Sequence, residues 1–279
     1  MNEALAPTTA AFYRLILEKL NASGIPFLVG GAYALGWYTS IERHTKDLDI
    51  FVRRDDCPRV LDLFAAAGYR TEVSFPHWLA KVYSGDLFID IIYSSGNGLA
   101  EVTDRWFAHA LSVKILGVQA RLIPAEELLW TKAFIQERER FDGADVAHLL
   151  RAWSPNLDWD RLLENFGPHW RVLLSHLLLF EFIYPRERLP IHEKMIGQLC
   201  RRWESEKDNP PPAEPVCQGT LLSRAQYLVD VRRWGYQDAR LRPRGNLSLE
   251  EMAIWTAAIE GEACEPPRPV EEAQEKPLG

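Results

Sequence analysis

At 279 residues the chain has room for one large domain or two modest ones, and 47% apolar with 25% charged residues is the balance of an ordinary soluble globular protein. A net charge of −7 speaks against a broad basic face for coating nucleic acid. The longest apolar run, Val172 to Phe180, is far shorter than the roughly 20 residues a membrane helix needs. The N-terminus carries Glu3 and no positive segment, so no secretory leader is expected. Cys57, Cys200, Cys217 and Cys264 show no C-x-x-C spacing, which excludes a disulfide or zinc framework and fits reduced thiols in the cytoplasm. The P-loop, G-x-S-x-G and H-E-x-x-H motifs are all missing from the sequence, as is any fixed-period repeat.

Taken in chain order, Thr9 to Leu20 puts Phe12, Leu15, Ile16 and Leu20 on one helical stripe, with Thr8 or Thr9 to start it and Gly24 to end it. Phe27–Val29 is a short strand running into Gly30-Gly31, and Ala32–Trp37 suits a short helix. Asp47–Arg53 is β-branched and aromatic and predicts a strand. A helix follows from Asp55 or Asp56 to Ala67, with Gly68 as its C-terminal stop. Tyr69–Val73, Trp78–Tyr83 and Leu87–Tyr93 predict strands, the last two joined by a turn at Ser84-Gly85-Asp86. Two more strands, Ser112–Leu116 and Val118–Ile123, flank Gly117. Beyond Pro124 the chain predicts helices at Pro124–Glu139, Gly143–Trp153, Trp159–Phe166, His169–Ile183, Ile191–Glu204, Leu221–Arg233 and Leu249–Glu260.

The expected architecture is therefore an α/β core over residues 1–125 followed by an all-α domain over 126–260. A Pro-rich linker at 205–216 interrupts the helical part, and the Pro- and Glu-rich tail, 261–279, is expected to be disordered.

The informative stretch is Gly30-Gly31, a short helix, then Asp47-Leu48-Asp49-Ile50. Carboxylates two residues apart on a strand share a face, and their repulsion calls for a cation between them. A hard divalent ion such as Mg²⁺ takes oxygen ligands and links carboxylates to phosphates. Asp90 lies inside the apolar run Phe88-Ile89-Asp90-Ile91-Ile92, where an acid needs a reason. A strand that turns into a helix through two glycines presents free N–H groups suited to phosphate. Taken singly, a Gly-Gly pair reads as a tight turn and D-x-D as solvated acids at a strand end.

In this order, G-G, helix, D-x-D and a third strand-borne Asp, the sequence resembles the DNA polymerase β-like nucleotidyltransferase superfamily. Leu28-Val29-Gly30-Gly31-Ala32 with Arg43-His44-Thr45-Lys46-Asp47-Leu48-Asp49 looks most like its bacterial branch of aminoglycoside enzymes, minimal nucleotidyltransferases and abortive-infection toxins. Lys132, Arg138, Asp142 and Asp145 extend the resemblance, which covers about residues 27–150. It implies that the β-sheet of the core is mixed. It also implies that Asp47 and Asp49 bind two Mg²⁺ ions holding an NTP, that Asp90 shares a metal and helps deprotonate the acceptor, and that Gly30 and Gly31 line the triphosphate. The implied activity is transfer of an NMP from NTP to an acceptor hydroxyl with release of pyrophosphate. The alternatives are a toxin-like enzyme acting on tRNA or protein, with a partner protein, and a non-catalytic nucleotide-binding or regulatory member.

Two lysines complete the expected site. Lys132, on a helix apolar on most sides, either snorkels to the surface or balances the acids and the triphosphate, and the second reading is favoured. Lys46, with Arg43 and His44, stands just before the D-x-D within reach of phosphate or in a solvated loop. Arg138 and Arg140 read as surface ion pairs, and the scattered histidines as structural.

Overall fold

In a computed structural model the protein is described over residues 5–42 and 47–258. Helix α1 (Pro7–Ser23) starts at a proline and ends on Gly24, whose φ of +69° is the left-handed stop foreseen for it. Its buried face, Phe12, Tyr13, Ile16, Leu17 and Leu20, lies against the sheet. Strand β1 (Leu28–Val29) runs through Gly30 into α2 (Gly31–Thr39), and the chain returns as β2 (Asp49–Phe51). After α3 (Cys57–Ala66) come β3 (Arg70–Phe75), β4 (Leu79–Ser84) and β5 (Leu87–Ile92). The short α4 (Asp104–His109) leads to β6 (Leu111–Ile115) and β7 (Val118–Leu122).

These strands form one seven-stranded mixed sheet in the order β3-β4-β5-β2-β1-β7-β6. The two inner crossings that matter are β2 against β5, parallel, and β1 against β2, antiparallel. Hydrophobic runs in β1, β2 and β5 place Leu28, Val29, Ile50, Ile89 and Ile91 in the core.

The helical half follows: α5 (Ala125–Ala133), α6 (Gly143–Trp153), α7 (Trp159–Phe166), α8 (Trp170–Ile183) and α9 (Pro190–Glu206). An exposed Pro-rich stretch then leads to β8 (Val216–Cys217), α10 (Leu228–Arg233), β9 (Gln237–Asp238) and α11 (Leu249–Ala257). Helix α2 packs on α5 and α6, and α8 on α6, α7 and α9. Among the described residues no helix is long and apolar enough to cross a membrane.

Several expected elements are trimmed by tertiary structure. The strand expected over Asp47–Arg53 keeps only its middle, with Asp47 in the bend before it. The helix expected to reach Glu139 stops at Ala133, because the backbone beyond it bonds elsewhere. Gln136 N–H donates to Leu222 O, Glu137 N–H to Arg140 O and Asp142 N–H to Ile135 O, at 2.9–3.1 Å. The helix expected over Leu221–Arg233 survives only as α10, and α4 is one the sequence pattern does not reveal, being too short to show periodicity.

Candidate active site

The sheet register gathers the acids. Asp49 on β2 is the direct partner of Asp90 on β5, so their side chains share one face, and Asp47 reaches the same place from the preceding bend. Asp90 N–H donates to Leu48 O at 3.1 Å, which fixes the two segments between the carboxylates. One oxygen from each of Asp47, Asp49 and Asp90 lies within 4.8 Å of the others, and all three residues are half-buried. Burial first, then the charges of Asp47 and Asp90, push the Asp49 carboxyl up to about 7, against the lowering influence of Lys132 and Arg140. Asp90 is also raised, by burial ahead of Asp47, with Lys81 opposing.

The glycines fit around these acids sterically. A Cβ on Gly31 would stand 1.6 Å from Asp49 Oδ2, and one on Gly30 would stand 2.2 Å from the Phe51 ring. Gly30 N–H donates to Asp49 O at 2.9 Å, so the turn into α2 and the second acid are locked together. The positive end of α2 therefore opens beside the carboxylates.

The donor set suits a hard divalent cation. Ligands of one Mg²⁺ sit about 2.1 Å from the ion, so opposite oxygens are about 4.2 Å apart. Three carboxylate oxygens spread over no more than 4.8 Å need little movement to meet that geometry. The raised Asp49 carboxyl reflects the same burial and crowding of acids.

Lys132 is buried and held by Asp142 Oδ2 at 2.8 Å and Asp145 Oδ2 at 2.7 Å. It acts on Asp49 through space while bonded to acids of α6 and the turn before it. Arg140, read from the sequence as part of a surface ion pair, is exposed and clasps the buried Asp142 with Nε and Nη2, both at 3.0 Å. Burial raises the Asp142 carboxyl, yet the Arg140 and Lys132 bonds outweigh it and hold the group below its usual range. Lys46, Arg43 and His44 lie outside the described residues.

Two neighbours of the acids were not picked out from the sequence. Lys81 on β4 is in register with Asp90 and donates to its Oδ1 at 2.5 Å. Tyr13 of α1 is fully buried, and its hydroxyl has no partner among the described residues. Burial first, then Tyr33, Asp47, Asp49 and Asp90, drive its ionisation far above the normal range. Two of the histidines sit in buried hydrogen bonds away from the acids: His176 bonds to Ala133 O at 2.9 Å and His192 to Ser154 at 2.6 Å.

Comparison with solved structures returns distant likenesses. The antibiotic-resistance factor ANT(2'')-Ia has a TM-score of 0.38 and 14% identity, covering 73% of this chain and 97% of its own. The lincosamide antibiotic adenylyltransferase LnuA, bound to lincomycin, has a TM-score of 0.37 and 15% identity, covering 53% and 98%. JHP933 from Helicobacter pylori has a TM-score of 0.34 and 14% identity, covering 73% and 98%. No curated protein matches the chain. The sequence profile of a family described as an uncharacterised nucleotidyltransferase matches residues 2–170. That match spans more than half of the chain, and the protein belongs to this nucleotidyltransferase family.

Proposed function

We propose that the protein transfers a nucleoside monophosphate from an NTP to an acceptor hydroxyl and releases pyrophosphate. The observation that carries this reading is the meeting of Asp47, Asp49 and Asp90 within 4.8 Å beside the Gly30-Gly31 turn. In the reaction the acceptor oxygen bonds to the α-phosphorus, and the P–O bond to the β-phosphate breaks. Asp47, Asp49 and Asp90 would hold divalent metal, which when bound neutralises the triphosphate and its developing charge.

The chain's own residues supply the rest. Backbone N–H groups at the start of α2 face the phosphates, and the absence of side chains at Gly30 and Gly31 lets them approach. Lys132 contributes positive potential on the Asp49 side, and Lys46 is assigned to the phosphates from the sequence. Asp90 accepts the proton of the acceptor hydroxyl. The helical half, 126–260, supplies the second wall of the acceptor site, and an NTP-consuming enzyme of this kind acts in the cytoplasm.

Incubation with α-³²P-labelled NTPs, Mg²⁺ and hydroxyl-bearing acceptors tests the proposal. Labelled acceptor and pyrophosphate should form together, and both should vanish with chelator and in Asp49→Asn. Release of the γ-phosphate alone, or transfer that survives Asp49→Asn, overturns it.

A further inference from the structure

Lys81 is the one charged residue of β4, flanked by buried Ala80 and Val82. Two cross-strand neighbours are offered to it: Asp90 on β5 and Glu72 on β3. Glu72 is exposed and already bonded to Arg70 and Ser74. Lys81 turns to Asp90, with Nζ at 2.5 Å from Oδ1 and 4.2 Å from the centre of the Phe88 ring. The register thus makes a row of Asp49, Asp90 and Lys81 on one face of three adjacent strands. A cation is built into the edge of an acidic trio.

We propose that Lys81 is a positioning residue that sets the metal affinity of the trio. Its ammonium holds Asp90 by Oδ1 and offsets part of the negative charge of the trio. A fixed monovalent cation beside a divalent site repels the incoming ion, so the nucleotide-free protein binds metal weakly. A triphosphate restores the missing negative charge and brings the metal with it. The inference rests on the reading of the trio as metal ligands. It predicts effects of opposite sign: neutralising Lys81 tightens metal binding to the bare protein while slowing transfer, because Asp90 loses its anchor. A lysine that served only the sheet would do neither.

The test uses the full chain as Lys81→Met, Lys81→Gln and Lys81→Arg, with Mn²⁺ as the probe and no nucleotide present. Titration followed by electron paramagnetic resonance should show both neutral variants binding Mn²⁺ about tenfold tighter than wild type. Lys81→Arg, which keeps the charge, should stay near wild type. Without metal the neutral variants should melt lower, and Mg²⁺ should raise their melting temperature more than it raises that of wild type. In the label-transfer assay kcat should fall while KM for NTP changes little. A neutral variant that folds only with Mn²⁺ present is the same result in extreme form. Unchanged or weaker Mn²⁺ affinity in both neutral variants overturns the inference, as does their failure to fold even with metal. If wild type itself binds no Mn²⁺ at millimolar concentration, the metal reading of the trio falls, and this inference with it.

Discussion

A methyl group at Gly31 would have to share space with Asp49 Oδ2, on a backbone whose φ of +53° already disfavours an L side chain. The conformational part of that conflict costs about 1–2 kcal/mol, and relief of the clash moves the carboxylate. Displacements near 1 Å can cost about 100-fold in rate. Gly31→Ala is therefore expected to lose about 100-fold or more in nucleotidyl transfer while remaining folded, with denaturation midpoint and label transfer measured side by side. Retention of wild-type transfer would remove Gly31 from the site. The glycines and the D-x-D were legible as a motif within one stretch of sequence, which the pairing of β1 with β2 then brings together. Lys81 was legible in principle: the tight turn pairs Ser84 with Leu87, and counting outward along both strands sets Lys81 opposite Asp90. Arg140 was not, since its bond to Asp142 depends on α5 stopping at Ala133.

At the junction of α5 and α6, Lys132 answers two buried carboxylates at once. Removing one partner from a buried ion pair typically costs about 3–5 kcal/mol, because the other charge is left uncompensated. Lys132→Met should lower stability by an amount of that order in urea denaturation, and adding Asp145→Asn should recover part of it. No loss would show that water reaches these acids. Between α6 and α9 the buried His192 sets a pH dependence. Ser154 Oγ donates to Leu150 O at 2.5 Å, so His192 Nε2–H donates to Ser154, and Nδ1 is buried without a partner. Burial lowers this imidazole from 6.5 to about 4. The unfolded chain takes the proton first, so this contribution is complete above pH 6.5 and is lost as pH falls towards 4. By pH 5 the loss is about 2 kcal/mol relative to a non-titrating His192→Gln variant. Parallel stability–pH curves for the two proteins would show that His192 protonates freely. Sequence reading treats His192 as structural but does not reveal its burial, because an isolated histidine declares that only through the helices packed on it.

The switch from strand to helix at Pro124 was readable from periodicity, but periodicity does not say which elements share a core. One hydrophobic cluster runs from Phe12 through Leu122, Ile123, Ala125 and Leu128 to Leu199 and beyond, without a break at residue 125. Tyr38 OH donates to Ile123 O at 3.0 Å, and the Tyr38 and Trp153 rings meet at 5.0 Å, so α2 is clamped by both halves. The C-terminal segment returns to the sheet: Asn97 donates to Leu221 O at 2.8 Å and Asn246 to Gly98 O at 2.7 Å. The Trp255 ring fills the space that a Cβ on Gly96 would need. Separate domains would unfold in separate steps, whereas elements sharing one core lose it together. We therefore expect a single urea transition, with coincident midpoints for far-UV dichroism and tryptophan fluorescence. A chain cut after Trp153 would lose Leu162, Phe166, Trp170, Leu173 and Leu177, all at 0–1% exposure, from beneath α5 and α6. Such a fragment should fail to fold and should bind neither metal nor NTP. Two resolved transitions, or a folded fragment that binds nucleotide, would instead make 1–125 and 126–260 independent units, and would leave the acceptor wall on a module that can be exchanged.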